Sequence, residues 1–271
     1  MLVIGLDGWI DAGFGAAGAV RSLLDAVDTK PVATFDADVL LDHRSRRPVL
    51  HLVEGVDSGL TWSTVELRWG EDLDGRHLLL LVGAEPDFRW QAFSTEVVDI
   101  AGDLGARLVV GLGAYPAPIP HTRPSRLAAT ASAEELIASG GYVRATLDVP
   151  AGAAAVVERA CAEAGIPAIG LWAQVPHYAA ALAYPAASAL LVEGLAVAAG
   201  LRFDTRRLEE AADATRARLD ALIANSEEHL RLVHQLEQGW DAEETIPSGD
   251  QLAAELQRFL RQREDGEPGP Q

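Results

Sequence analysis

A run of five apolar residues, Leu78-Leu79-Leu80-Leu81-Val82, decides the fold of this chain. A strand with one face in water alternates apolar and polar residues, whereas this run has no polar position on either face. Residues 108–110, Leu-Val-Val, show the same pattern. Strands that are buried on both faces usually form a parallel or mixed sheet with helices on both sides. The run therefore predicts an α/β fold.

Outward from this run, apolar segments predict further strands, and helical patterns predict the helices between them. The predicted strands are residues 2–6, 31–36, 49–56, 61–69, 77–83, 107–112, 126–131 and 168–174. The predicted helices are residues 14–27, 90–104, 151–164 and 185–199. Segments 49–56 and 61–69 are separated by four turn-forming residues and predict a hairpin inserted between the parallel elements.

The density of charge changes near residue 202. Residues 1–201 carry 37 charged groups, whereas the last 70 residues carry 25 and contain no strand pattern. We therefore expect an α/β domain over residues 1–201 and a helical C-terminal extension over residues 202–271. The spacing of apolar residues predicts one long helix from Asp204 or Thr205 to Gly239 and a second helix from Ser248. The polar, glycine- and proline-rich composition predicts disorder over residues 264–271.

Composition excludes several classes of protein. The net charge of −18 repels phosphate backbones and anionic membranes, so we expect no nucleic-acid or membrane partner. The single cysteine, Cys161, excludes an intrachain disulfide framework and is expected to be a buried structural thiol. The single lysine, Lys30, lies in a turn that fits neither a phosphate-binding loop nor a Schiff-base enzyme. No pattern indicates a metal or a cofactor.

Targeting signals are not predicted. The apolar residues 2–6 have no basic segment before them, unlike a secretory signal peptide. The alanine-rich residues 178–201 resemble a membrane span, but Pro185 divides them and leaves a segment nearer in length to a buried helix. We therefore expect a cytoplasmic location.

Polar residues follow four of the predicted strands, at the edge where open α/β sheets gather their ligand sites. The candidate lining of this crevice is Asp11, Glu85, His121, Arg123 and His177. In a catalytic interpretation His121 is an acid or base and Arg123 binds an oxyanion or phosphate. In the structural interpretation Asp11 caps a helix, and the proline-rich loop 116–124 is packed with Arg123 paired to an aspartate or glutamate. Glu85 is a candidate for that partner, or for a base. No nucleophile motif accompanies these residues.

The same loops resemble the proteasome assembly chaperone 2 family. The likeness is carried by residues 8–13, Gly-Trp-Ile-Asp-Ala-Gly; by residues 83–86 with Trp90; by residues 120–124, Pro-His-Thr-Arg-Pro; and by residues 175–178, Val-Pro-His-Tyr. Residues 247–256 resemble the ending of the two-domain bacterial branch. The resemblance implies a three-layer α/β/α, phosphorylase/hydrolase-like fold with a helical extension. It also implies homo-oligomers, with a trimer favoured, and proteasome-related proteins as partners.

The resemblance favours a non-catalytic assembly or interaction protein. The alternative is a small-ligand-binding protein or a hydrolase- or phosphorylase-like enzyme that uses the crevice. Members that act as proteasome chaperones often end in a hydrophobic residue, a tyrosine and one further residue, whereas this chain ends Pro268-Gly269-Pro270-Gln271. We therefore expect that the chain does not dock on a proteasome through its C-terminus, since a polar tail offers no anchor.

Overall fold

The computed structural model of the chain describes residues 1–8, 10–138 and 140–245. Its strands and helices are, in chain order, β1 Leu2–Asp7, α1 Gly15–Ala26, β2 Lys30–Thr34, α2 Ala37–Leu40, β3 Val49–Val53, β4 Val56–Thr61, β5 Val65–Glu71, β6 His77–Ala84, α3 Trp90–Asp103, β7 Val109–Ala117, β8 Leu127–Ala131, α4 Ala153–Glu163, β9 Ala168–Pro176, α5 Pro185–Ala199, α6 Arg206–Ile223 and α7 Glu227–Thr245.

Seven strands form one mixed sheet in the order β2-β5-β6-β1-β7-β9-β8. The four central strands, β6, β1, β7 and β9, are mutually parallel. The outer strands β2, β5 and β8 are antiparallel to their neighbours. The apolar run quoted first lies in β6, which explains why it has no polar position.

Both faces of the sheet are covered by helices, as expected. Val3 packs in the core on the side of α1 and α5, whereas Leu2 and Ile4 pack on the side of α3 and α4. The leucine run divides in the same way, with Leu80 on the first side and Leu81 on the second. Successive side chains of a strand point to opposite faces, so the run supplies both cores. The three-layer α/β/α architecture is confirmed.

The hairpin differs from its prediction. It forms between β3 and β4, with its turn at Glu54 and Gly55, whose φ angles are 50° and 83°. Glycine occupies this left-handed region without strain, and this favours a turn that begins three residues earlier than expected. The predicted turn residues 57–60 lie inside β4, and the segment predicted as its partner strand joins the main sheet as β5.

The predicted long C-terminal helix is broken into two. Helix α6 ends at Ile223 and α7 begins at Glu227. The Ser226 Oγ accepts a hydrogen bond from the His229 amide at 3.4 Å. A serine before two glutamates competes with the helix backbone and favours a new N-terminus. Gly239 lies inside α7 rather than at its end. The helix predicted from Ser248 and the predicted disorder of residues 264–271 lie outside the described residues, and the boundary at residue 201 stays a prediction.

No helix among the described residues is long and apolar enough to cross a membrane.

Gly83 offers a test of this architecture, because it has a φ of 111° and lies where β6 meets β5. A Cβ at this position would overlap the backbone carbonyl of Thr64. We expect Gly83→Ala to lower the free energy of unfolding by about 2–4 kcal/mol through backbone strain and overlap. Urea unfolding measures this change.

Gly102→Ala is the matched control, since Gly102 lies in α3 and a Cβ there meets nothing within 4 Å. This variant should gain up to about 1 kcal/mol. Equal effects of the two substitutions would contradict the register of β5 and β6.

Candidate functional site

The loops after β1, β6, β7 and β9 lie at one edge of the sheet. These strands run parallel, and Asp7 at the end of β1 is in register with Ala84 at the end of β6. Asp11 forms a bridge with Ala114 of β7, and the Gly13 amide donates to the Ala180 carbonyl beyond β9. The carboxyl edge therefore holds all the loops that carry the candidate residues.

Asp11 caps helix α1. Its two carboxylate oxygens accept hydrogen bonds from the amides of Ala16 and Ala17, at 2.7 and 2.9 Å. Burial raises the pKa of this carboxyl, while the amide hydrogen bonds act in the opposite direction. The helix-cap interpretation of Asp11 is confirmed by these contacts.

Glu85 performs a similar task on the opposite face of the sheet. Its side chain is buried and accepts a 2.6 Å hydrogen bond from the amide of Ala153, the first residue of α4. The carboxylate thus satisfies a donor at the helix N-terminus. Arg123 does pair with an acidic residue, as in the structural interpretation, but that partner is Asp241 of α7 rather than Glu85.

His121 is the most buried of the five candidates, with 2% of its surface exposed. The hydroxyl oxygen of Tyr178 lies 2.7 Å from the His121 amide, which donates to it, and 2.8 Å from Nδ1. The Nε2 atom lies 3.1 Å from a carboxylate oxygen of Asp220 in α6. A hydroxyl that accepts from the amide and donates to Nδ1 leaves the ring proton on Nε2, where it donates to Asp220.

The protonation state of the Tyr178 phenol supports this assignment of the hydrogen bonds. Burial raises the pKa of its phenol to about 12, so the hydroxyl keeps its proton and donates to Nδ1. Both ring nitrogens of His121 therefore have partners within the chain. His177, the next residue before Tyr178, is exposed and stacks edge-on against the Tyr178 ring, with centroids 5.4 Å apart.

Arg123 binds helix α7. Its Nε and Nη2 atoms each lie 2.9 Å from a carboxylate oxygen of Asp241, which gives a bidentate pair. Glu237 accepts from the Thr122 hydroxyl at 2.6 Å and from Arg123 at 3.4 Å. The loop that carries the two candidate residues His121 and Arg123 thus binds both C-terminal helices, α6 and α7.

An apolar contact also holds α7 against this part of the chain. Trp240 of α7 is buried against Ala117 and Ile119, with Tyr115 at the margin. The guanidinium of Arg126 lies 3.6 Å from the centroid of the Trp240 ring, a cation–π arrangement. Trp240 was not expected in this contact, because the glycine at position 239 predicted the end of the helix there.

The five candidates therefore do not line one crevice. Asp11 and Glu85 cap helices on opposite faces of the sheet, His121 and Arg123 bind α6 and α7, and His177 faces solvent. In the described ranges, no group of three or more histidine, cysteine, aspartate or glutamate side chains is arranged to hold a metal ion.

An open cavity of about 480 Å³ lies beside the carboxyl ends of β1 and β6, on the α1 face. None of the five candidates lines it. Its charged lining is mixed in sign and consists of Asp7, Arg21, Glu66 and Arg68. Arg68 is engaged with Glu66 at 2.7 Å and with the Thr29 hydroxyl at 2.9 Å. The cavity is open and polar enough to admit a small polar ligand.

Glu158 of α4 is a further titratable group, and it is not among the five candidates. Burial raises the pKa of its carboxyl to about 7. The carboxylate lies over β7 and β9, where side chains at Gly111 or Gly170 would collide with it or crowd it. Burial, and to a smaller extent the charge of Glu158, raise the pKa of the Cys161 thiol to about 11. That thiol is fully buried, as expected. The sequence signal for this buried carboxyl was the pair of glycines inside apolar strands, because glycines leave room for a side chain from the covering helix.

Tyr178→Phe tests the role of the hydroxyl. The substitution leaves the His121 amide and Nδ1 without their partner, so we expect a loss of about 2 kcal/mol in the free energy of unfolding. Tyr142→Phe is the control, because the Tyr142 hydroxyl has no hydrogen bond among the described residues and should change stability by less than about 0.5 kcal/mol. Denaturant titrations of both variants decide the matter, and equal losses would refute the assignment.

Glu158→Gln tests the buried carboxyl through pH. A carboxyl whose folded-state pKa is raised from 4.5 to about 7 stabilises the fold below pH 4.5, and this contribution is lost as the pH rises through 7. We therefore expect the variant to gain up to about 3 kcal/mol over the parent at pH 8 and nothing at pH 4.5. Thermal unfolding between these pH values measures the difference.

Glu163→Gln is the matched control on the same helix, because Glu163 forms an exposed ion pair with Arg159. It should show no such pH dependence. A parent and a Glu158→Gln variant with parallel pH profiles would contradict the burial of the carboxyl.

Solved structures of bacterial proteins share this fold. A Corynebacterium glutamicum protein of unknown function is 32% identical, with a TM-score of 0.86 over 90% of this chain and 91% of that one. The Mycobacterium tuberculosis proteasome-assembly chaperone homologue is 31% identical, with a TM-score of 0.79 over 86% of this chain and 100% of that one. A PAC2 family protein from Streptomyces avermitilis is 31% identical, with a TM-score of 0.75 over 86% and 98% of the two chains. None of the curated proteins matches this chain.

The profile of the PAC2 family matches residues 5–223, from β1 to the end of α6. The match includes the loops that carry Asp11, Glu85, His121, Arg123 and His177. It also includes Asp220, through which α6 contacts His121. This chain therefore belongs to the PAC2 family.

Proposed function

We propose that this chain is a non-catalytic assembly or interaction protein that self-associates, most simply as a trimer, and binds proteasome-related proteins in the cytoplasm. The proposal rests on one observation: the polar side chains at the carboxyl edge bind other parts of the same chain. The His121 and Arg123 side chains, the best candidates for chemistry, bind Asp220, Glu237 and Asp241 of the C-terminal helices.

The contacts at this edge argue against an acid–base role for His121. A general base must reach the proton that it abstracts. The ring nitrogens of His121 already contact Tyr178 and Asp220, and 2% of the residue is exposed. The bidentate pair with Asp241 likewise occupies two nitrogens of Arg123 that would otherwise bind an anion. These groups contribute to the packing of α6 and α7.

The partner class is supported by kinship. The similar Mycobacterium tuberculosis structure is described as a proteasome-assembly chaperone homologue. Exposed surface is available for protein contacts, since large apolar side chains such as Phe14, Phe88 and Leu182 are about half exposed at the carboxyl edge. The net charge of −18 favours a partner surface with basic residues.

A second function is favoured by one observation, the cavity of about 480 Å³ beside Asp7 and Arg21. Arg21 has no ion pair among the described residues, so its guanidinium can meet an anionic group of a small ligand. Burial raises the pKa of Asp7, so this carboxyl is more readily protonated than a solvated aspartate. In this second function the cavity binds a small polar ligand that carries an anionic group.

The partner experiment uses the purified full chain and purified proteasome α-subunits from the same organism. We expect complex formation in size-exclusion chromatography with light scattering, and we expect Arg21→Ala to bind equally well. If the chain forms no complex with the subunits, the proposed partner class is wrong. If Arg21→Ala alone abolishes the complex, the cavity is the functional site.

A further inference from the structure

The open cavity of about 480 Å³ lies between helix α1 and strand β5, and we call it the α1–β5 cavity. Strand β5 alternates in character, unlike the apolar strand β6. Val65 and Leu67 are buried on the side of α3, whereas Glu66 and Arg68 line the cavity on the opposite face. Successive residues of a strand point to opposite faces, so β5 supplies one polar wall.

Helix α1 forms the opposite wall. Ala17, Arg21 and Leu24 line the cavity, and their spacing of four and three residues places them on one face of the helix. Val20 and Val82 are buried and complete an apolar part of the lining. The cavity therefore combines an aliphatic strip with a small number of polar groups, which is the usual make-up of a small-molecule site.

The charges of the polar wall are already paired with each other. Arg68 donates from Nη1 to Glu66 at 2.7 Å, from Nε to the Thr29 hydroxyl at 2.9 Å and from Nη2 to the Thr29 carbonyl at 3.1 Å. All three nitrogens of this guanidinium therefore have partners within the chain. The wall is neutral as a whole, and its two charges are engaged without a ligand.

Two charges of opposite sign in the same cavity stay unpaired. Arg21 and Asp7 both line it and are solvent-exposed, and neither side chain has an ion pair among the described residues. Burial raises the pKa of Asp7, whereas the charges of Arg46 and Arg21 lower it. Arg46 is itself paired with Asp87 at 3.4 Å. Arg21 and Asp7 thus lie within electrostatic reach of each other but leave a gap between them.

A ligand with charge of one sign satisfies only half of this arrangement. An anion bound to Arg21 lies near the carboxylate of Asp7, and a cation bound to Asp7 lies near the guanidinium of Arg21, so each meets a repulsion. A ligand with both charges pairs with both residues. Its ammonium group also acts on Asp7 in the same direction as the neighbouring arginines, because a nearby positive charge favours the ionised carboxylate.

We propose that the α1–β5 cavity binds a small aliphatic zwitterion, the chemistry of an amino acid, with its carboxylate on Arg21 and its ammonium group on Asp7. The aliphatic body lies against Leu24 and Val82, which line the cavity. This inference rests on the second function proposed above, a small ligand with an anionic group, and adds the amine that the ligand carries.

Titration calorimetry on the purified full chain tests the class of ligand. The probes are alanine, leucine and 6-aminohexanoate, which differ in aliphatic body and in charge separation. Each is compared with the same molecule without its amine and without its carboxylate; for leucine these are 4-methylpentanoate and 3-methylbutylamine. We expect at least one zwitterion to bind about tenfold or more tightly than both of its singly charged counterparts.

Substitutions at the two unpaired charges test the site. We expect Arg21→Ala and Asp7→Asn each to raise the dissociation constant of that zwitterion by about tenfold or more. Asp7→Asn should also bind the probe without an amine more tightly than the parent does, because a repulsion is removed. Arg47→Ala and Asp25→Asn are the matched controls, since both residues are exposed and neither lines the cavity. Circular dichroism shows whether each variant is folded.

Amide chemical shifts locate the bound probe. Gly5 and Gly83 line the cavity, so their amide resonances should move on binding, whereas that of Gly102 in α3 should not. A zwitterion that binds without moving the Gly5 and Gly83 resonances contradicts the site. Equal losses of affinity in the control variants contradict it as well.

The outcomes separate this proposal from the second function on which it rests. Probes without an amine that bind at least as tightly as their zwitterions contradict the zwitterion and leave an anionic ligand standing. An affinity for zwitterions that Asp7→Asn leaves unchanged does the same. If neither the zwitterions nor the amine-free probes bind, both the proposal and the second function are wrong.

Discussion

The burial of both faces of four parallel strands is the constraint on which the rest of this structure depends. Strands β6, β1, β7 and β9 carry apolar residues at nearly every position, so water must be excluded from both sides at once. Helices α1 and α5 cover one face, and α3 and α4 cover the other. The loops at the carboxyl edge then have to satisfy the amide donors at the starts of those helices, and Asp11 and Glu85 do this.

This constraint explains why polar residues that resemble a catalytic set need not be one. A carboxylate at the carboxyl edge of a parallel sheet lies close to helix N-termini and is stabilised there without any substrate. His121 and Arg123 extend the same principle to the C-terminal helices, where Asp220, Glu237 and Asp241 supply the partners. Trp240 adds an apolar contact to this polar frame, since it is buried against Ala117 and Ile119. Helix α7 thereby covers the loop that follows β7.

The sequence predicted the layers and most strands well because hydrophobic periodicity reports burial directly. The leucine run at residues 78–82 is an example, since the lack of a polar position predicts burial on both faces, and β6 lies inside the sheet between β5 and β1. The hairpin turn was misplaced because Gly55 and Gly59 both offer turn chemistry, and only strand pairing selects Gly55. The break at residues 224–226 was missed because the apolar stripe continues across it. The pairing of Arg123 with Asp241, 118 residues apart, depends on tertiary packing that no local pattern encodes.

Amide hydrogen exchange shows whether the loop that carries His121 and Arg123 holds the C-terminal helices in place. Trp240→Ala removes the apolar contact without touching any of the five candidate residues. The account predicts faster exchange throughout α7, in α6 near Asp220 and at the His121 amide, with exchange in β1 and β6 unchanged. Faster exchange confined to the immediate neighbours of residue 240, with α6 and His121 protected as in the parent, would contradict it.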